Sequence, residues 1–245
     1  MKSYSKSLIQ PKLTKETFKD FEYRKIEIVS DTTLPTIVFV HGTIGSLNDF
    51  NRFLSDSLLQ KKANMISYDR IGYNFNDRNT VQESIAFENE MLNNIISDLN
   101  PTKTILFGYS YGGPIALSIK QQLKGIILLA PAVYSKVEPM PWLVNFYKWK
   151  LTRWLVPDVW KEASKEKLSH KEDLAQFENQ WNTAKSNIKS IHGNADMIVP
   201  FSNSLFLQNQ FAKNQFELIE VDDAGHGILW SNFDFLKQQL LNELD

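Results

Sequence analysis

The sequence predicts an α/β fold: a mostly parallel central sheet with helices on both faces and a helical cap inserted late in the chain. Three observations predict it. Short apolar, β-branched runs recur along the chain, longer amphipathic stretches separate them, and one aromatic, charged stretch breaks the alternation. Strands that alternate with helices close into parallel sheets, because each crossover helix lays its apolar stripe on a sheet face. With 245 residues, 42% hydrophobic and 22% charged, the chain can bury one sizeable core and carries no compositional mark of disorder.

Taken in order, "RKIEIVS" (24–30) alternates like a half-buried strand, whereas "PTIVFVH" (35–41) is continuously apolar, like a strand covered on both faces. Further strands are expected in "ANMISYD" (63–69), "KTILFG" (103–108), "KGIILLA" (124–130), "NIKSIHG" (187–193) and "FELIEV" (216–221). Between them, "VQESIAFENEMLNNIISDL" (81–99) spaces its apolar residues mostly three and four apart, with acids near its start. "PIALSIKQQL" (114–123) and "FDFLKQQLLNEL" (233–244) are also read as amphipathic helices.

From 131 to 186 no strand pattern is present, and the stretch is read as a helical cap between the two parts of a core, 1–130 and 187–245. Within it Leu143, Phe146, Tyr147, Leu151, Trp154 and Leu155 follow helical spacing. That spacing predicts one apolar face, packed on the core or walling a pocket. Lys148, Lys150 and Arg153 beside the tryptophans leave room for transient docking on a lipid surface.

Composition narrows the function. A net charge of −1 gives no general attraction to nucleic acid. The absence of cysteine removes disulfides, thiol catalysis and zinc–thiolate sites together. The histidines lack the i, i+4 pairing of a helical zinc site and no glycine-rich phosphate loop is present, so neither metal nor organic cofactor is implied. The first twenty residues lack the apolar core of a signal peptide, and no stretch approaches a membrane span. The expectation is a cytoplasmic protein without stable membrane insertion; oligomeric state is not legible.

The chemistry gathers around "GYSYGG". In a strand–turn–helix setting, G-x-S-x-G places the serine on a sharp elbow, here Ser110, with its hydroxyl projecting from the carboxyl end of the sheet. Serine is a poor nucleophile until a base takes its proton. Of four histidines, His170 sits in the charged part of the cap and is expected on a solvated helix face. His41 and His192 close strands and are expected to shape their turns. His226, in "VDDAGHGILW" after the last strand, occupies the loop where α/β sheets gather catalytic groups, and is the expected base. Asp196 in "HGNADMIVP" is the expected orienting carboxylate. Asp222 and Asp223 compete, but as strand-ending residues they are expected to shape a turn. A negative oxygen formed at the substrate needs fixed donors: the N–H of Tyr111, and that of Thr43 in "HGTIGS", with Ile44 as the alternative.

At these residues the chain resembles the α/β-hydrolase superfamily. "GYSYGG", "HGTIGS", "GNADMIVP" and "AGHG" occur in the family's order, serine, then aspartate, then histidine. "YDRIGYNFND" (68–77) is similar to the family's Asp-Arg-x-Gly-Tyr-Gly-x-Ser loop, with Asn74 in place of a glycine. The likeness runs from about residue 24 to the C-terminus and is weakest in the cap. It implies a cap-bearing, carboxylesterase-like serine hydrolase acting on a small, largely apolar acyl substrate. Serine at the elbow, not aspartate, separates the chain from haloalkane dehalogenases and epoxide hydrolases. The elbow also lacks the Gly-Gly-Ser-Trp-Gly form of proline iminopeptidases. Acyl transfer, perhydrolysis or carbon–carbon cleavage by the same three residues remains the alternative.

Overall fold

The computed structural model describes residues 9–73, 80–138 and 144–244. Eight strands form one sheet: β1 (Lys12–Phe18), β2 (Phe21–Ile28), β3 (Thr36–Val40), β4 (Asn64–Tyr68), β5 (Thr104–Tyr109), β6 (Gly125–Leu129), β7 (Ile188–Gly193) and β8 (Phe216–Val221). Their order is β1-β2-β4-β3-β5-β6-β7-β8. From β4 to β8 every pairing is parallel, and β1 and β2 add an antiparallel edge. The described helices are α1 (Asn51–Leu54), α2 (Ser57–Lys62), α3 (Ile85–Ile96), α4 (Gly112–Leu117), α5 (Val144–Lys148), α6 (Asp158–Phe177), α7 (Ser202–Gln208), α8 (Ile228–Ser231) and α9 (Phe233–Leu244). None is long and apolar enough to cross a membrane.

The continuous apolar runs are explained by a sheet buried on both faces. Along β3, Val38 and Val40 enter one core layer with Leu106 and Leu128. Ile37 and Phe39 enter the other with Ile105 and Phe107. Phe39 lies opposite Phe107, and Phe107 opposite Ile127, so the central register is held by large side chains in line. Because the parallel strands all point one way, the loops after β3, β5, β7 and β8 meet at one rim.

Several elements differ from expectation. β1 has no strong pattern of its own, being mostly exposed or half-buried, and takes its structure from pairing with β2 across a tight turn at Lys19. The helix expected over 114–123 ends at Leu117, and all six residues of α4 are buried. It is enclosed between the sheet and α3, so it needs no polar face. Helix α3 starts only at Ile85, where the Ser84 hydroxyl accepts the Phe87 N–H at 3.3 Å.

The single apolar helix face expected over 143–155 does not form. Helix α5 stops at Lys148, the N–H groups of Thr152 and Arg153 both turn back to the Trp149 carbonyl, and Leu151 and Trp154 are 84% and 74% exposed. The three- and four-residue spacing there spans a short helix and a turn, with Tyr147 buried, Leu155 in the wall of a cavity, and Leu151 and Trp154 facing outward. Leu143 and Asn74 lie outside the described residues, as does the side chain of Phe146.

Candidate active site

Ser110 lies directly after β5 with φ of +54°, in the left-handed region. That conformation costs a non-glycine residue free energy, and the surroundings must hold it. The Ser110 N–H donates to Leu129 at 2.9 Å, and its carbonyl accepts from Gly113 at 2.9 Å and Ala132 at 3.2 Å. The glycines allow the close approach. A Cβ at Gly108 would meet the Gly112 carbonyl oxygen at 2.4 Å, and one at Gly112 would meet that of Val40 at 2.1 Å.

The structure brings Ser110, His226 and Asp196 together. His226 Nε2 stands 3.1 Å from Ser110 Oγ, and its Nδ1 stands 2.7 Å from Asp196 Oδ2. A carboxylate can only accept, so Nδ1 carries the proton and Nε2 presents a lone pair to the hydroxyl. Asp196 Oδ1 accepts the N–H groups of Ile198 and Val199 at 2.9 and 2.8 Å. Burial favours the protonated acid, but hydrogen bonds from His192 and His226 outweigh it and hold the Asp196 carboxyl well below the usual carboxylate range.

Two supports of this chain were not singled out from sequence. His192 is fully buried; its Nε2 faces the Val199 carbonyl at 2.9 Å and Asp196 Oδ2 at 3.4 Å, while the Ser204 hydroxyl meets its Nδ1 at 2.7 Å. It thus touches the carboxylate as well as its own turn, and the i, i+4 spacing of His192 and Asp196 was the available signal. Tyr109 donates its hydroxyl to the His226 carbonyl at 2.8 Å and stacks on the imidazole, with centroids 5.2 Å apart. Asp222 and Asp223 are exposed and join Asn194 at the turn after β8.

Thr43, Ile44 and Tyr111 line the same cavity as Ser110. Ile44 adopts φ of +58°, while Tyr111 leads into α4. Beneath this loop lies a buried ionic group. Arg70 pairs with Glu88 at 3.2 Å and with Glu166 of α6, all with fully buried side chains. Glu166 also accepts the hydroxyls of Thr43 at 2.6 Å and Tyr73 at 2.5 Å, and the Arg70 guanidinium lies 4.4 Å from the Tyr111 ring centroid. Burial pushes the Glu88 carboxyl up to about 7 despite Arg70. His41 accepts the Arg70 N–H at 2.9 Å, and burial together with that guanidinium depresses its pKa to about 3, so it stays neutral.

A cavity of about 820 Å³ opens from Ser110 and His226 and runs beneath the insert. Its wall includes Val144, Leu155, Val156, Trp160, Ala163 and Ile198. His170, expected in solvent, is 2% exposed and also lines this cavity. The cause is the orientation of α6, whose polar residues Glu162, Glu166, His170 and Asp173 share one buried face. Glu162 and Asp173 accept the backbone N–H groups of Val81 and Ile85 at 3.1 and 2.6 Å. Among the described residues no group of three or more His, Asp or Glu side chains is arranged to hold a metal ion.

Residues 35–190 match a family model described as the alpha/beta hydrolase fold. Among solved structures, the chain is similar to the alpha/beta hydrolase GrgF from Penicillium sp. sh18, at a TM-score of 0.73 and 13% identity, covering 96% of this chain and 98% of that one. A monoacylglycerol lipase from Paleococcus ferrophilus matches at a TM-score of 0.69 and 17% identity, covering 91% and 98%. Alpha/beta hydrolase domain-containing protein 10 from mouse matches at a TM-score of 0.67 and 15% identity, covering 96% and 100%.

Proposed function

The chain belongs to the α/β hydrolase fold family, and on that premise we propose that it is a serine hydrolase cleaving a carboxylic ester of a small, largely apolar substrate. The observation that carries this reading is the run from Asp196 through His226 to Ser110, at 2.7 and 3.1 Å, ending on a serine held at a positive φ. The apolar wall of the cavity beside it, and the likeness to a monoacylglycerol lipase, support an acyl substrate.

In this mechanism His226 Nε2 takes the hydroxyl proton as Ser110 Oγ attacks the ester carbonyl. Asp196 keeps the imidazole in the required tautomer and stabilises its protonated form. The carbonyl oxygen becomes negative and is received by the backbone N–H groups of Thr43 and Tyr111, donors fixed before the reaction begins. His226 then protonates the departing alcohol, leaving an acyl group on Ser110. Water, deprotonated by the same imidazole, attacks this acyl-enzyme and releases the acid. The segment 131–186 serves as a cap, with α6 forming one side of the cavity and Glu166 tying it to Thr43.

The test is hydrolysis of short p-nitrophenyl esters by the natural chain and by Ser110→Ala, with mass spectrometry after exposure to an alkyl phosphonate. One phosphonyl adduct on Ser110 and loss of turnover in the variant are expected. Turnover retained by Ser110→Ala sinks the assignment.

A further inference from the structure

The turn that follows α5 sets apolar and cationic side chains in solvent together. Trp149 is 70% exposed and stands in sequence beside the exposed Leu151 and Trp154. Lys148 and Lys150 are exposed too, and form no ion pair with a described residue. The turn is tied to itself: the Trp154 indole N–H donates to the Leu151 carbonyl at 3.0 Å, and Arg153 Nε donates to the Tyr147 carbonyl at 2.8 Å. Its last residue, Leu155, donates its N–H to the Thr152 carbonyl at 2.9 Å and lines the cavity that opens from Ser110. Met197 and Ile198, from the loop after β7, line the same cavity and are exposed, Met197 by 89%. Val144 and Ala163 line it as well but are buried, so the exposed members mark its mouth. The turn therefore borders the entrance to the candidate active site.

Exposed apolar side chains gathered in one place mark an interaction surface, and charge says which kind. No Asp or Glu occurs between 139 and 157, whereas Lys148, Lys150 and Arg153 do. The acids on either side are already engaged. Asp158 pairs with Lys161 at 2.9 Å, while buried Glu138 pairs with Lys167 and lies 3.0 Å from His170 Nδ1. Indoles interleaved with lysines suit a layer of lipid headgroups. The indole has an apolar body and a polar N–H, and a lysine lays its stem along acyl chains while its ammonium reaches phosphate. A second copy of the chain fits poorly, because a two-fold contact lays the patch on itself and brings the lysines of both copies together. An anionic surface neutralises them.

We propose that the turn 148–155 is a docking surface for an anionic phospholipid bilayer, and that it seats the cavity mouth against the membrane. An acyl substrate then passes from lipid to Ser110 without crossing water. The docking stands apart from the hydrolase reading, whereas delivery to Ser110 rests on it. Attachment is peripheral: side chains of the turn enter the headgroup layer, and no described helix is long and apolar enough to span it. Attraction between exposed cations and lipid phosphates is screened by salt, so docking weakens as ionic strength rises.

Vesicle flotation tests this, with the full chain carrying Ser110→Ala so that hydrolysis cannot alter the lipid. The protein is expected to float with phosphatidylcholine vesicles holding about one-quarter phosphatidylglycerol, much less with phosphatidylcholine alone, and to be released by about 0.5 M salt. Adding Lys148→Gln and Lys150→Gln should weaken binding to the anionic vesicles by about thirtyfold, roughly fivefold for each cation removed. Leu151→Ser with Trp154→Ser should weaken it by more than about tenfold and leave the urea midpoint unchanged, because both side chains are exposed. No flotation with anionic vesicles, or flotation untouched by both pairs of substitutions, overturns the docking surface. A concentration-dependent dimer lost in Leu151→Ser with Trp154→Ser, without vesicle binding, also overturns it and gives the patch to a second copy. Vesicle binding by Ser110→Ala with no ester turnover by the natural chain overturns only the hydrolase reading.

Discussion

His226 with Asp196 and His170 with Glu138 are the same two chemical groups, placed on different sides of one cavity and finished differently. In the first pair the carboxylate's second oxygen takes two backbone N–H groups, and the far imidazole nitrogen meets Ser110. In the second pair the corresponding oxygen and nitrogen have no hydrogen-bond partner among the described residues. The first pair stands on loops that leave β7 and β8, parallel neighbours in the sheet. The second joins α6 to the loop after β6, both within the insert. An imidazole held against a carboxylate is therefore only half of a device: what its far nitrogen touches decides whether it can take a proton from a nucleophile.

The comparison is broken most severely at the serine. Ser110→Ala is expected to lower kcat on p-nitrophenyl butyrate by about 10⁶-fold, the scale seen when one nucleophile of such a unit is removed. Asp196→Asn should cost about 10⁴-fold, because an amide can donate to the imidazole and favours the wrong tautomer. Stopped-flow measurement of acylation checks both values, and an Asp196→Asn enzyme within tenfold of the natural one contradicts the orienting role.

A smaller effect is expected where the insert reaches the loop after β3. Glu166→Gln removes the charge that balances Arg70 and weakens the acceptor for Thr43. Breaking a buried ion pair costs about 3–5 kcal/mol of stability, read from urea unfolding. On activity, kcat should fall more than KM changes, by less than the roughly 10²–10³-fold that loss of an oxyanion donor itself costs. A change in KM alone would separate Glu166 from the geometry of Thr43.

The gentlest probe is pH. Burial opposes ionisation of Glu138, but hydrogen bonding and charge from His170 and Lys167 prevail and lower its pKa from 4.5 to about 2. A carboxyl depressed in the folded state contributes stability above its unfolded pKa and loses it as pH falls through the folded one. The urea midpoint of the natural chain should therefore fall more between pH 5 and pH 3 than that of Glu138→Gln. Parallel slopes would show that Glu138 carries no such linkage.

The parts of the fold and site legible in the sequence are those with local causes. Apolar runs mark β3 to β7 because a strand covered on both faces needs apolar residues throughout. The glycines around Ser110 mark the elbow because a Cβ there meets backbone at 2.1 to 2.4 Å. Asp196 and His226 could be singled out because each follows a recognisable strand, and parallel strands deliver their following loops to one rim.

His170, Leu151 and Trp154 misled for a common reason. Helix α6 turns Glu162, Glu166, His170 and Asp173 inward, where Val81, Arg70, Glu138 and Ile85 meet them, while Leu151 and Trp154 face outward. Hydropathy assigns such polar residues to solvent. It cannot anticipate a polar face buried against partners 32 to 123 residues away.

The sequence by itself determined the layered α/β architecture, the strained turn at Ser110 and the residue types at the rim, since backbone sterics and hydropathy act over a few neighbouring residues. Only the tertiary structure decided that His170 is buried in the wall of the cavity, and that Glu166 of α6 ties that helix both to Arg70 and to the loop at Thr43. Those outcomes depend on distances between remote segments, and electrostatics and hydrogen bonding discriminate only at contact.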